Sequence, residues 1–255
     1  LKSLGSYCRR FNPDRVMVIW EGGGSPRRRA LLKEYKANRK PVRLNRSDIY
    51  EDIPDSRENF NYQVAATTRL LGYTAVEQMY VSDCEADDVI GYLSKNLIDE
   101  EIIIASSDKD FYQLLNPRVK MYSPTKKKFI THEDVREEHD ISSTNFVTAR
   151  SFVGDNSDNI CGIRGVGLKT LAKRFPMLRN DDFVSCDDII KLCREVPEAK
   201  RIKLHKNVLA AESIVKRNWK LMYLDIRNLS NQQIEKIKFV LDFFKTYFSI
   251  RSFSK

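Results

Sequence analysis

Residues 154–170 read GDNSDNICGIRGVGLKT and combine two closely spaced acids with three glycines after them. It places the carboxylates of Asp155 and Asp158 three residues apart, where they could hold a divalent cation through oxygen. The same composition, rich in Asp, Asn and Ser, is also typical of an ordinary surface loop. The carboxylate pair alone therefore leaves a metal site and a solvent-exposed loop as alternatives.

Three glycines follow the two carboxylates, and a basic helix is predicted directly after them. Gly162, Gly165 and Gly167 let the backbone turn sharply and approach a ligand closely, with N–H groups pointing outward. Such a turn suits a phosphate, and Lys169 and Lys173 add positive charge on the helix. The glycine spacing alone is a weak signal, because it differs from the Gly-x-Gly-x-x-Gly of dinucleotide-binding folds.

The charge of the chain favours a polyanionic partner. Its 255 residues contain 44 Lys and Arg against 35 Asp and Glu, a formal net charge of +9. Nine cations and one acid lie within residues 25–46, so this segment alone carries +8. A charge run is often only a solvated helix, but its place directly after a candidate site favours contact with nucleic acid.

The cysteines and the hydropathy pattern bound the class of protein. The five cysteines form no Cys-x-x-Cys pair, which indicates reduced intracellular thiols. No apolar run approaches the roughly 20 residues that a membrane-spanning helix needs. We therefore expect an intracellular protein without membrane contact.

Apolar runs that end in acidic residues predict the sheet. Residues 15–20 and 101–105 are typical of buried strands, and residues 74–81 predict another. Because open parallel sheets bind ligands at the carboxyl ends of their strands, the acids that follow these runs mark a site: Glu21, Glu85, Asp87, Asp108 and Asp110. We predict an α/β fold with a mostly parallel central sheet flanked by helices.

Helical patterns replace strands beyond about residue 140, where we place a domain boundary. The predicted domains are an α/β core at 1–140 and a helical module at 141–255. Helices are predicted at 144–153, 168–175, 187–195, 207–217 and 231–248.

Seven carboxylates would meet if the strand ends came together with Asp155 and Asp158. Without cations, such charges would raise one another's pKa values and oppose folding. Two Mg²⁺ ions, about 3.5–4 Å apart, would resolve the conflict, activate a water and stabilise a leaving oxygen. Oxygen ligands suit Mg²⁺ or Mn²⁺ and argue against zinc, and the three isolated histidines are not expected to bind metal.

Five motifs in a fixed order resemble the 5′ nuclease family of 5′→3′ exonucleases and flap endonucleases, most closely its phage-encoded members. They are 20–25 (WEGGGS), 34–39 (EYKANR), 85–88 (EADD), 106–110 (SSDKD) and 154–167 (GDNSDNICGIRGVG). The resemblance covers essentially the whole chain. It implies a nuclease core of the PIN-like type, with a basic helical arch at 25–60, and a helix–three-turn–helix at about 144–175.

The resemblance assigns the seven carboxylates to two Mg²⁺ ions, for which Mn²⁺ can substitute. The first ion would take Glu85, Asp87 and Asp108, with Glu21 nearby, and the second would take Asp110, Asp155 and Asp158. The family usually has Asp where Glu21 stands. Its first strand, central to the sheet, would lie before Leu1, so we expect on the order of 20–30 residues to be absent from this chain or supplied by another.

The resemblance also implies contacts with DNA. Lys36 and Arg39 in the arch would act on the scissile phosphate, and Tyr35 would stack on an unpaired base. Backbone carbonyls of the 162–167 hairpin would hold K⁺. The other residues expected to contact DNA are Arg27, Arg28, Arg29, Arg150, Gly162, Gly165, Gly167, Lys169 and Lys173.

The sequence thus predicts a Mg²⁺-dependent 5′ nuclease that cleaves 5′ flaps, 5′ overhangs or RNA primers at RNA–DNA junctions during DNA replication. We expect a monomer in the cytoplasm of a bacterium or a phage-infected host, with replication proteins as candidate partners. Two alternatives stay open: a catalytically impaired DNA-binding fragment, and a PIN-like nuclease that acts on RNA.

Overall fold

A computed structural model describes residues 1–39 and 57–252, except for the side chains of residues 57, 58 and 244–252. Residues 40–56 of the predicted arch lie outside the described residues. The helices are α1 (Lys2–Phe11), α2 (Pro26–Leu31), α3 (Arg57–Leu71), α4 (Ala86–Asn96), α5 (His132–His139), α6 (Ser143–Val153), α7 (Leu168–Arg174), α8 (Cys186–Glu195), α9 (Lys203–Ala210), α10 (Glu212–Met222) and α11 (Asn231–Ser252). The strands are β1 (Met17–Trp20), β2 (Glu77–Tyr80), β3 (Ile102–Ala105), β4 (Val119–Ser123), β5 (Lys128–Ile130), β6 (Gly154–Asp155) and β7 (Ile160–Cys161).

By packing, the chain forms two compact units. Unit 1 comprises Leu1–Gly24, Lys40–Val89 and Leu229–Lys255, and unit 2 comprises Ser25–Arg39 and Ile90–Asn228. The boundary predicted near residue 140, where helical patterns replace strands, does not coincide with the division between these units, and it stays a prediction.

Unit 1 contains a parallel pair of strands whose ends are held close together. Strands β1 and β2 pair from Met17 opposite Glu77 onward. Just beyond β1, the carbonyl of Gly22 accepts a hydrogen bond of 2.8 Å from the N–H of Asp83. A Cβ atom at Gly22 would lie 1.8 Å from the carbonyl oxygen of Val81. Only glycine therefore allows the two strand ends to approach this closely.

Unit 2 is built around α6 and a three-stranded sheet. Strands β3 and β4 are parallel, and β4 and β5 are antiparallel. Phe146, Ala149 and Phe152 of α6 are at most 1% exposed and lie in the largest apolar cluster. Asn145 of the same helix is fully buried, and its amide bonds to the backbone of residues 178–184. These contacts fasten the loop before α8 to the core.

Two strands are less buried than the sequence predicts. All four residues of β1 are half-buried, and only Ile104 of β3 is buried, whereas Ile103 is 41% exposed. Among the described residues, each of these strands has one hydrogen-bonded neighbour. An apolar run shows that a strand can be buried on both faces, but burial also requires neighbours on both sides.

The α/β class is observed, with one error in the helical part. The helix predicted at 207–217 is two helices, α9 and α10, which meet at Ala211. No Gly or Pro marks this break, and both helices continue the same apolar spacing, so the pattern could not reveal it. The described part of the chain contains no helix long and apolar enough to cross a membrane.

Candidate metal and DNA-binding site

In unit 1, the acids expected at the strand ends lie at or opposite the start of α4. The N–H of Ala86 faces the carboxylate of Glu21 at 3.4 Å from Oε2. Ala86 lies between Glu85, which is 3% exposed, and the half-buried Asp87. The positive end of a helix stabilises carboxylates placed in this way. Unit 1 therefore brings Glu21 next to the segment that carries Glu85 and Asp87.

In unit 2, three of the expected ligands act on the pKa of a fourth, Asp110. Burial raises the pKa of Asp110 to about 7, and the charge on Asp108 adds to the shift. Asp155 and Asp158 raise this pKa further, whereas Arg150 lowers it. The N–H of Asp110 also donates a hydrogen bond of 2.9 Å to Oδ1 of Asp108. These acids form a concentrated negative charge that a cation would relieve.

Arg150 neutralises part of that charge. Its guanidinium donates to Oδ2 of Asp155 and lies 3.6 Å from Oδ1 of Asp110. Burial raises the pKa of Asp155, but hydrogen bonds from Ser157 and the charge of Arg150 outweigh burial, so the pKa lies below its usual value. Arg150, expected to contact a DNA phosphate, is instead engaged by carboxylates in this structure.

Asp158 has partners from the basic segment. Arg39 donates to its Oδ1 through Nε at 3.2 Å and Nη2 at 2.6 Å. The hydroxyl of Tyr35 lies 3.3 Å and the Nζ of Lys36 3.9 Å from its Oδ2. The N–H of Lys36 also donates to the carbonyl of Asp158. The two cations assigned to the scissile phosphate therefore lie at one of the carboxylates assigned to metal.

The donor chemistry of these acids fits a hard divalent cation. Carboxylate oxygens are the ligands that Mg²⁺ and Mn²⁺ prefer, and burial together with the neighbouring carboxylates raises the pKa of Asp110. Within the described ranges, however, no three His, Cys, Asp or Glu side chains stand close enough together to hold a metal ion. The grouping of all seven carboxylates around two ions stays a prediction.

The glycine hairpin needs glycine at two positions in particular. Strands β6 and β7 pair Gly154 with Cys161. A Cβ atom on Gly162 would lie 1.9 Å from the carbonyl oxygen of Val153. Gly154 and Gly165 have φ angles of 79° and 80°, which side-chain-bearing residues rarely adopt. A Cβ atom on Gly154 would likewise lie 2.3 Å from the N of Gly162. Gly154 and Gly162 are therefore the two positions of the hairpin where close packing requires glycine.

Gly167, in contrast, has open space around its Cβ position and a φ of −121°. It is the residue that precedes α7, whose Lys169 and Lys173 are exposed one helical turn apart. Both lysines line a groove of about 260 Å³ together with residues 137–140. Both side chains are exposed, and their contact with a phosphate backbone stays a prediction.

Asn218 is a site residue that the sequence reasoning missed. Its buried amide donates to the carbonyls of Ser151 at 3.0 Å and Cys161 at 2.8 Å. These bonds fix β7 to the C-terminal half of α6. An asparagine among the apolar positions of α10 is the one signal that could have indicated it.

Tyr35, expected to stack on an unpaired base, points inward in this structure. Its side chain is 9% exposed and packs with Val147, Ile160 and Leu221. The ring is amphipathic, so its apolar part joins a core cluster while its hydroxyl reaches Asp158. The basic residues around Tyr35 in the sequence gave no sign that its side chain points inward.

Arg28 is likewise structural rather than exposed to DNA. It is 2% exposed, and its Nε donates to the carbonyl of Leu221 at 2.7 Å. Arg27 donates to the carbonyl of Lys220 at 2.9 Å. Both arginines therefore satisfy carbonyl groups at the C-terminus of α10. Arg29 is exposed and remains a predicted DNA contact.

Residues 1–140 match the family model described as the 5′-3′ exonuclease, N-terminal resolvase-like domain. This match covers more than half of the chain. The chain belongs to the 5′-3′ exonuclease family. The resemblance drawn from the five motifs is thereby confirmed.

Curated relatives of this exonuclease family member are nucleases and polymerases by name. The 5′-3′ exonuclease of Buchnera aphidicola is 27% identical over 67% of the chain and 56% of the relative. Flap endonuclease Xni of Shewanella halifaxensis is 29% identical over 69% of the chain and 67% of the relative. The thermostable DNA polymerase I of Thermus filiformis is 29% identical over 76% of the chain and only 21% of the polymerase. The chain thus spans little more than half of the first relative.

Solved structures of phage T5 nucleases share the fold of this exonuclease family member. T5 5′-exonuclease with bound zinc has a TM-score of 0.74 at 23% identity, over 95% of this chain and 89% of that one. A T5 flap endonuclease complex with DNA and metal ions has a TM-score of 0.74 at 22% identity, over 96% and 89%. The predicted fold class is confirmed.

Proposed function

We propose that this protein is a divalent-metal-dependent 5′ nuclease that hydrolyses phosphodiester bonds at 5′ flaps, 5′ overhangs or RNA primers in DNA. The observation that carries the proposal is the group of mutually interacting acids in unit 2, with Arg39 and Lys36 directly beside them. Such a group combines a place for cations with positive charge for a phosphate. The names of the relatives, 5′-3′ exonuclease and flap endonuclease, support the same activity.

The metal ions are proposed to be two Mg²⁺, with Mn²⁺ as a substitute. Asp110, Asp155 and Asp158 would hold one ion, and Glu85, Asp87 and Asp108 the other, with Glu21 nearby. When bound, the metal supplies Lewis-acid stabilisation of phosphate charge and a more acidic water. Related folds that were crystallised with metal ions support a divalent cation, and the oxygen-only donor set favours Mg²⁺ or Mn²⁺.

Lys36 and Arg39 are proposed to act on the scissile phosphate. Both are paired with Asp158 in this structure, so a DNA phosphate would compete with that carboxylate for them. A cation fixed beside the phosphate stabilises the charge that develops in the transition state. The pairing with Asp158 keeps both side chains at the acids before substrate arrives.

The helical module is proposed to bind the duplex part of the substrate. Lys169 and Lys173 would contact phosphates, Gly162 and Gly165 would shape the turn that approaches them, and carbonyls of residues 162–167 would hold K⁺. The module would span residues 141–255 and the nuclease core residues 1–140. We infer a monomer that acts in the cytoplasm of a bacterium or a phage-infected host, alongside replication proteins.

The proposal is tested with purified protein and an end-labelled 5′-flap duplex, with and without Mg²⁺. We expect Mg²⁺-dependent release of the flap with a 5′-phosphate on the product. An RNA flap of the same sequence, assayed in parallel, measures the preference for DNA. Cleavage that persists in excess chelator would overturn the proposed metal dependence, and binding without any cleavage would overturn the proposed activity.

One observation favours a second function, DNA binding without cleavage. Arg150 and Arg39 neutralise Asp155 and Asp158 in the present arrangement. If Mg²⁺ could not displace these arginines, the protein would bind flap DNA without cutting it. Flap binding that weakens steeply with salt, together with no cleavage at any Mg²⁺ or Mn²⁺ concentration, would identify this function.

A further inference from the structure

Unit 2 contains a groove that the proposed nuclease site does not use. It has a volume of about 470 Å³ and lies between α2 and the C-terminal end of α10. A volume in this range is typical of sites for small molecules or single nucleotides. The residues that define its floor and rim are Ala30, Leu31, Trp219, Lys220, Tyr223 and Arg227.

The floor of the groove is aromatic and preformed. The rings of Trp219 and Tyr223 stack with centroids 4.4 Å apart and an interplanar angle of 20°. The ammonium of Lys95 lies 4.5 Å from the Tyr223 ring centroid and donates to the carbonyl of Leu224. Leu31 adds an apolar side chain from α2 that is 36% exposed. The floor therefore offers a flat apolar ligand a surface that needs little reorganisation.

The rim of the groove is cationic. Lys220 is exposed, and the Arg227 side chain is 75% exposed. Arg27 also lines the groove, while Asp225 is the one acid among the lining residues and pairs with Arg227. Three cations against one acid give the lining a net charge of +2. A ligand complementary to this groove is a flat ring that carries a negative charge.

A nucleobase with its phosphate has this combination of properties. Proteins that bind single-stranded nucleic acid place aromatic side chains under the bases and cations along the backbone. A protein segment is a weaker match, because the groove is small and its rim repels basic side chains. The segment that leaves α2 also contributes Tyr35, Lys36 and Arg39, which contact Asp158. The groove and the acids are therefore joined by one short stretch of chain.

We propose that this groove binds a base of single-stranded DNA, with Trp219 under the base and Lys220 and Arg227 at the phosphates. The inference deepens the proposed function, since an unpaired 5′ strand is the ligand in both. It is separate from cleavage, because none of the groove residues is among the carboxylates or their cationic partners. Binding can therefore be measured with chelator present, where cleavage plays no part.

Tryptophan fluorescence tests the site directly. The chain has two tryptophans, Trp20 and Trp219, so a Trp20→Phe variant reports on Trp219 alone. In chelator, a short oligothymidylate should quench its emission in a saturable manner, since a stacked base quenches indole fluorescence. A blunt-ended duplex, in which every base is paired, serves as the comparison ligand. Absence of quenching by the oligonucleotide, or equal quenching by the blunt-ended duplex, would overturn the proposal.

A matched pair of substitutions locates the binding. Ala30→Glu places a bulky carboxylate in the groove, whereas Ala199→Glu makes the same change at an exposed alanine that does not line it. Ala30→Glu should weaken oligothymidylate binding roughly tenfold, the loss expected for one stacked base, and Ala199→Glu should have little effect. Circular dichroism checks that both variants are folded. Equal affinities would show that the groove serves another ligand, such as a protein segment.

Discussion

The acids of the two units are neutralised in different ways. In unit 2, guanidinium groups pair with Asp155 and Asp158. In unit 1, Glu21 faces a backbone N–H at the start of α4. Side-chain cations can be displaced by a stronger cation or a phosphate, whereas a helix N-terminus is a fixed part of the backbone. The ion pairs of the unit 2 acids are therefore exchangeable, whereas the contact of Glu21 with the backbone is fixed.

The largest effect should come from removing the exchangeable acids themselves. Asp155→Asn combined with Asp158→Asn should slow flap cleavage by about 10³-fold or more, because cation binding and charge stabilisation are lost together. Single-turnover cleavage with Mg²⁺ measures the effect. The matched control is Asp181→Asn with Asp182→Asn, two exposed acids. Cleavage within a few-fold of the unchanged protein would place the reaction elsewhere.

The next largest effect is expected at Gly162, the glycine that permits the hairpin carrying these acids. Gly162→Ala places a methyl group against the Val153 carbonyl and should lower the free energy of unfolding by about 3 kcal/mol. Gly167→Ala meets open space and should change it by less than about 0.5 kcal/mol. Urea denaturation of both variants measures the difference. Similar midpoints would mean that the hairpin does not need its close approach.

Lys36 and Arg39 both pair with Asp158, and Lys36 provides a test of the proposed catalysis. Lys36→Ala should slow cleavage by about 10²-fold while flap affinity in chelator changes little, because its charge acts mainly in the transition state. Lys33→Ala, at an exposed position of the same segment, is the control. If Lys36→Ala reduces binding and cleavage equally, the residue only anchors the DNA backbone.

The buried amide of Asn218 fastens the hairpin that carries two of the unit 2 acids. Asn218→Ala leaves the carbonyls of Ser151 and Cys161 without their donor, which should cost about 2 kcal/mol of stability. Asn207→Ala, at a partly exposed amide with a single long bond of 3.4 Å, should cost less than about 0.5 kcal/mol. Chemical denaturation followed by circular dichroism compares the two. A neutral Asn218→Ala would show that this amide is dispensable for the hairpin.

The smallest effect is expected in unit 1. Glu21→Gln removes the negative charge that faces the start of α4 but keeps the length of the side chain. The free energy of unfolding should therefore fall by only about 0.5 kcal/mol. Thermal melting at low and high salt measures this loss, which salt should diminish. A loss of several kcal/mol, insensitive to salt, would mean that Glu21 is held by more than the helix N-terminus.

The positions of the acids could be predicted because strand ends are visible in a single sequence. The apolar run before Asp108 and the run before Glu21 both form parallel strands. The roles of Arg28 and Tyr35 could not be predicted, because their partners lie far away in the chain. Arg28 bonds to a carbonyl 193 residues later, and no local pattern separates such an arginine from one that faces DNA.

The ion pairs of Arg150 bear on how this region folds. Because it already counters Asp110 and Asp155, we expect this region to fold without a bound divalent cation. The proposed cations would then bind after the region has folded. A melting temperature that stays the same within a few degrees in chelator would agree with this order of events, and unfolding on chelation would contradict it.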